Sequence, residues 1–107
     1  MTRCTCRPEP NGVCESCFTQ QVIDLAKLRG WFVYHTWNSR HSQPGFPDLI
    51  LIRPETHELL ALELKREGKK ATEEQELWLA LFGDVRDVQS YCWTPSHWRL
   101  IEEALRR

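Results

Sequence analysis

The spacing of hydrophobic and polar positions changes several times along this chain, and each change marks an element. From Glu15 onward, Phe18, Val22, Leu25 and Leu28 recur at helical spacing and predict an amphipathic helix that Gly30 closes. Glu15 lies on the same stripe, one turn before Phe18. Trp31 to Trp37 is rich in aromatic and β-branched residues and predicts a first strand. The stretch from Asn38 to Pro47 is polar and holds two prolines and a glycine, so it reads as a loop. Asp48-Leu49-Ile50-Leu51-Ile52 is then a nearly unbroken apolar run, the pattern of a strand covered on both faces. Pro54 to Glu58 makes a turn, and Leu59 to Lys65 predicts a third strand paired with the second as a hairpin. Period-two geometry puts Leu60, Leu62 and Leu64 on one face and Ala61, Glu63 and Lys65 on the other.

A basic loop, Arg66 to Ala71, leads into Thr72-Glu73-Glu74-Gln75, a capping-box start to a second helix whose apolar side carries Gln75, Trp78, Leu79 and Phe82. Val88 to Trp93 predicts a short fourth strand, and Thr94-Pro95 opens a last helix docked by Trp98, Ile101 and Leu105. The order helix, three strands, helix, strand, helix implies an α/β domain with a small mixed central sheet flanked by helices. Met1 to Cys14 has turn-forming residues and no hydrophobic period, which predicts a loop in need of a staple.

With 107 residues there is room for one domain with a modest core. The composition, 41% hydrophobic and 27% charged, is that of an ordinary globular protein. No apolar run approaches the roughly 20 residues that cross a bilayer. The N-terminus lacks the apolar core of a secretory signal, so a cytoplasmic location without a membrane partner is expected. The formal charge of −1 does not announce a nucleic-acid binder. Carboxylates in a metal site and cations around it would nearly cancel, however. Arg40, His41, Arg66, Lys69 and Lys70 are the candidate DNA-facing groups, with a solvated surface as the alternative for each. His35 and His41 flank the loop before Asp48, and Trp37 at a strand end is the tryptophan placed to stack on a base. Trp31, Trp78 and Trp98 read as core.

Four of the five cysteines cluster as Cys4-x-Cys6 and Cys14-x-x-Cys17. In a cytosolic chain such paired short spacings favour a tetrahedral structural zinc over disulfides, with free thiols or a redox pair as the alternative. Thiolates suit soft ions, so this site would be separate from any hard-cation centre. Cys92, between Tyr91 and Trp93, reads as a buried small hydrophobe.

Glu63 and Lys65 interrupt an otherwise apolar strand, where burying charge without a use costs several kcal/mol, on the order of 3–5. Asp48 opens the neighbouring strand directly after Gly45-Phe46-Pro47. Two carboxylates on adjacent strands can share one Mg²⁺ or Mn²⁺, and Lys65 shares the face of Glu63. A salt bridge across a solvated sheet face, with Asp48 as a turn residue, is the competing account.

The ordered set Gly45-Phe46-Pro47-Asp48, Glu63-Leu64-Lys65 and Gln75 resembles the VRR-NUC branch of the PD-(D/E)xK nucleases, common as single-domain phage proteins and as a catalytic module of DNA-repair nucleases. The likeness implies a restriction-endonuclease-like core over residues 15–107, preceded by the Cys-rich loop of residues 1–17. It implies that Asp48, Glu63 and the backbone carbonyl of Leu64 ligate the catalytic metal and that Lys65 is the motif lysine. It matches Glu15 to the acidic residue of the first helix and Gln75 to the glutamine after the lysine strand. Glu15 and Gln75 also read as a helix-start carboxylate and a capping-box residue. The zinc reading is not part of the resemblance.

Two functions of different class follow. One is an Mg²⁺- or Mn²⁺-dependent endonuclease acting on DNA, branched DNA included, in phage replication, recombination or repair. The other is a zinc-stapled DNA- or protein-binding module that keeps a nuclease scaffold without catalysis. A homodimer is compatible with either.

Overall fold

Cys14 starts the first helix because its extended backbone lets its sulfur accept the Cys17 N–H at 3.4 Å. The computed structural model describes residues 13–36 and 43–106, and all structural statements concern these. Helix α1 spans Glu15–Leu28 and turns into the sheet through Gly30, whose φ of +89° suits a residue without a β-carbon. Strands β1 (Phe32–His35), β2 (Leu49–Arg53) and β3 (Glu58–Leu64) follow, then helix α2 (Glu73–Gly83), strand β4 (Val88–Trp93), a single 3₁₀ turn at Pro95–His97 and helix α3 (Trp98–Leu105).

The four strands lie in the order β1-β2-β3-β4, antiparallel across the first two pairs and parallel between β3 and β4. The parallel step is possible because α2 carries the chain from one end of β3 back to the start of β4. Register sorts the side chains. Leu49, Leu51, Leu60, Leu62, Leu64 and Trp93 fall on one face and pack with Phe18, Val22 and Ala26 of α1 and Ile101 and Leu105 of α3. The other face carries Ile50, Ile52, Ala61 and Glu63, and α2 covers its β3–β4 half, where the Ser90 hydroxyl donates to the Leu79 carbonyl at 2.6 Å.

Three expectations need correction. The buried stripe of α1 runs through Phe18, Thr19, Val22, Ile23 and Ala26, while Leu28 is 78% exposed. Steps of four dominate that stripe, so repeated steps of three carry Leu28 off the sheet. Strand β2 is covered on one face only, and Ile52 is exposed, because α2 lies over β3 and β4 and stops short of β1 and β2. Strand β1 starts at Phe32, since Trp31 is buried with its indole N–H donating to the Leu105 carbonyl at 3.1 Å.

Arg53, at the end of β2, is 4% exposed and holds the two outer helices together. Its guanidinium donates to the carbonyls of Leu105 (2.8 Å), Arg106 (3.0 Å) and Arg29 (3.3 Å). It also lies 4.2 Å above the Trp31 ring and 3.6 Å from the Glu58 carboxylate. The C-terminal ends of α1 and α3 carry orphan carbonyls and partial negative charge, and a planar five-donor cation satisfies both at once.

Candidate active site

The loop before β2 is built to deliver Asp48. Gly45 has a φ of +85°, and a β-carbon there would lie 2.5 Å from the Glu74 backbone, so the chain can close on the start of α2 only without a side chain. Phe46 then enters edge-on between Trp78 and Phe82, with ring centroids at 5.2 and 5.7 Å, and the Trp78 N–H donates to the Pro44 carbonyl at 3.1 Å. Pro47 is fully buried. The motif Gly45-Phe46-Pro47 is thus a packing device that fixes the entry to Asp48.

Asp48 stays in register with both neighbours. The Thr36 N–H donates to its carbonyl at 2.9 Å, and the Leu64 N–H donates to its Oδ2 at 3.0 Å. Extending the β2–β3 register by one step sets Asp48 opposite Glu63. Glu63 is 2% exposed, accepts from Gln75 Nε2 at 2.9 Å on Oε2, and has Lys65 Nζ 3.8 Å from that same oxygen. Its Oε1 is buried without a partner. Burial, and after it the charge and close carboxyl of Asp48, push the Glu63 carboxyl up to about 8; Lys65 opposes this and Glu15 adds to it.

Asp48, Glu63, Lys65 and Gln75 are therefore brought together on one face of the sheet. Gln75 makes two contacts at once. Its Oε1 accepts the Thr72 N–H at 2.8 Å, completing the capping box, while its Nε2 reaches Glu63. Glu15 is exposed at the head of α1, close enough for its charge to be felt at Glu63 but not in contact with it. Leu64 is buried with its N–H on Asp48. Arg66, Lys69 and Lys70 are exposed on the loop after Lys65. Arg40, His41 and Trp37 lie outside the described residues, as do Cys4 and Cys6. Cys14 and Cys17 are half-buried at the start of α1. Among the described residues no three His, Cys, Asp or Glu side chains converge as a metal site, so the acidic centre supplies two carboxylates.

Cys92 escaped the sequence reading as a neighbour of this centre. Parallel pairing sets it beside Glu63, and it is half-buried, with burial and the Glu63 charge pushing its thiol up. Nothing in the residue order reveals that register. Glu67 likewise reaches Ser96, whose backbone N–H donates to its Oε1 and holds its carboxyl below the usual range. That contact ties the loop after Lys65 to the 3₁₀ turn.

Comparison with known proteins adds the family. Fanconi-associated nuclease 1 homologs share sequence with this chain: that of Caenorhabditis elegans is 47% identical, and that of Caenorhabditis briggsae 43%, each over 47 residues. Each match covers 44% of this chain and 5% of the relative, so the chain spans a small fraction of these relatives' length. No solved structure matches significantly. No helix among the described residues is long and apolar enough to cross a membrane. The VRR-NUC domain model matches residues 5–91, a span that contains Asp48, Glu63, Lys65 and Gln75, and the chain belongs to the VRR-NUC domain family.

Proposed function

We propose that this chain is a metal-dependent nuclease that hydrolyses DNA phosphodiester bonds, with Asp48 and Glu63 as the side-chain ligands of one Mg²⁺ or Mn²⁺ and the Leu64 carbonyl as a third ligand. The observation that carries the reading is the buried, unpartnered Glu63 Oε1 beside Asp48. Burial first, and then the neighbouring Asp48 carboxylate, lift the Glu63 carboxyl, and the single ammonium of Lys65 only partly offsets them. A hard divalent cation fits this donor set, because Mg²⁺ is commonly held by one or two carboxylates with waters completing the octahedron. When bound, such an ion supplies Lewis-acid polarisation of a phosphodiester.

The chain's own groups have distinct tasks. Gln75 pins Glu63 Oε2 and leaves Oε1 as the oxygen without a hydrogen bond, while the Leu64 N–H pins one oxygen of Asp48. Lys65, 15% exposed at its side chain, is placed to neutralise charge building on phosphate oxygens and to orient the attacking water. Glu15 stands at the rim as a further acidic group. Arg66, Lys69 and Lys70, with Arg40 and His41 from the loop before Asp48, contact the sugar-phosphate backbone, which positions a duplex without reading its sequence. Branched DNA is the expected substrate. Cys14 and Cys17, with Cys4 and Cys6, hold a structural zinc that ties the N-terminal loop to α1.

The test is cleavage of plasmid, flap and four-way-junction DNA with and without Mg²⁺, alongside Asp48→Ala and Lys65→Ala. The reading expects Mg²⁺-dependent cutting by the wild type alone. Equal cutting by wild type and both variants defeats it. Tight binding with no cutting on any substrate returns the non-catalytic module instead. Zinc content of the purified protein, lost in Cys17→Ser, tests the staple separately.

A further inference from the structure

The half of the sheet face that α2 leaves open is aromatic. Phe32 and Tyr34 on edge strand β1 are 68% and 63% exposed, and Ile52 beside them is 42% exposed. Register sets Phe32 opposite Ile52 and Tyr34 opposite Ile50, while the Thr36 N–H bonds the Asp48 carbonyl. Residues directly opposite in an antiparallel pair share a face, and so do alternate residues along a strand. Phe32, Tyr34, Ile50 and Ile52 therefore lie on the same face as Asp48 and Glu63. Tyr34 is the diagonal neighbour of Asp48, at about 7–8 Å between Cα atoms. Phe32 follows one step of about 7 Å farther out.

Solvent-exposed rings in a row beside an acidic centre have a cost in solubility and no packing role. The surface chemistry also changes across the centre. The loop that leaves β3 carries Arg66, Lys69 and Lys70, groups suited to phosphates. Among the described residues, the open face beyond Asp48 presents Phe32, Tyr34, Ile50 and Ile52, aromatic and aliphatic groups suited to the flat faces of bases. We propose that Tyr34 and Phe32 form a stacking platform for the first unpaired bases of a single-stranded extension adjoining the cleaved phosphodiester, an inference that rests on reading Asp48 and Glu63 as the cleavage centre. The stride between the two rings suits successive bases of an extended strand, and stacking tolerates any sequence because every base has a π-face. The protein thereby prefers DNA at which a duplex meets a single strand.

The experiment measures binding in Ca²⁺, without Mg²⁺, to a blunt duplex and to the same duplex with a single-stranded overhang. The overhang carries 2-aminopurine at its first or second unpaired position. Wild type is expected to bind the overhang more tightly and to quench both probes. Tyr34→Ala should weaken overhang binding by about tenfold and release the first probe, Phe32→Ala should release the second, and blunt-duplex affinity should stay unchanged. Tyr34→Phe, which keeps the ring, should bind as wild type. Unchanged overhang affinity and quenching in Phe32→Ala/Tyr34→Ala overturns the proposal. So does a loss of dimer by sedimentation in that variant with quenching intact, since the face would then cover a second copy. Ring-dependent overhang binding without any cleavage would leave the platform standing and fail the nuclease reading alone; cleavage without ring-dependent binding would do the reverse.

Discussion

Glu63→Gln separates the charge of the buried carboxylate from its shape. In the metal-free protein the Glu63 carboxyl titrates at about 8, against 4.5 for an ordinary glutamate. Because the folded value is raised, the folded state binds the proton more tightly than the unfolded chain does. The contribution of the Glu63 site to stability is thus fully present below pH 4.5 and declines as pH rises, until Glu63 ionises near 8. Each pH unit in that window costs roughly 1.4 kcal/mol. Glutamine keeps the side-chain volume and an oxygen able to accept from Gln75 Nε2, but has no proton to lose. The variant should therefore match the wild type near pH 4.5 and exceed it by roughly 3 kcal/mol near neutrality, with the gap levelling off above 8. Urea unfolding in EDTA at half-unit pH steps measures the gap. Saturating Mn²⁺ should reverse the order, since only the wild type gains from binding the ion. Parallel pH profiles for the two proteins, or a variant less stable throughout, would refute the reasoning, because the carboxyl would then not be paying a burial cost.

Arg53→Met leaves the Arg29 and Arg106 carbonyls without their side-chain donor and the Leu105 carbonyl with the Trp31 indole alone, and should lower stability by roughly 3–5 kcal/mol in urea. Asp48 precedes the other end of β2, so on the proposed function cutting well below the new melting temperature should persist. Gly45→Ala combines a positive φ with a β-carbon clash and should cost on the order of 2 kcal/mol, together with a marked drop in turnover as the entry to Asp48 shifts. Lys65→Met should lower turnover by about a hundredfold or more while Mn²⁺ affinity, read by calorimetry, is retained or improved.

The sequence carries the elements of the fold because its periods are strong where packing is strong. The six core side chains of β2, β3 and β4 fall where alternation and apolar runs place them. The pair Glu63 and Lys65 stands out for the same reason, as charge inside such a run. Arg53 was invisible: at the end of an apolar strand it reads as a charged terminus, and its worth comes from the ends of α1 and α3 meeting over it, which is tertiary. Ile52 and Leu28 were misplaced because hydrophobicity marks a preference for burial, while the length and position of α2 and the drift of the α1 stripe decide which apolar groups are covered. Gln75 shows the opposite case: its place in the capping box is local and legible, and the same amide reaches Glu63 through its other end.

Calorimetric titration of the metal-free protein with Mn²⁺ tests the account most directly. One ion per chain should bind to the wild type, and Asp48→Asn and Glu63→Gln should each abolish or severely weaken that binding. Undiminished affinity in both variants would mean that the two carboxylates do not share a cation.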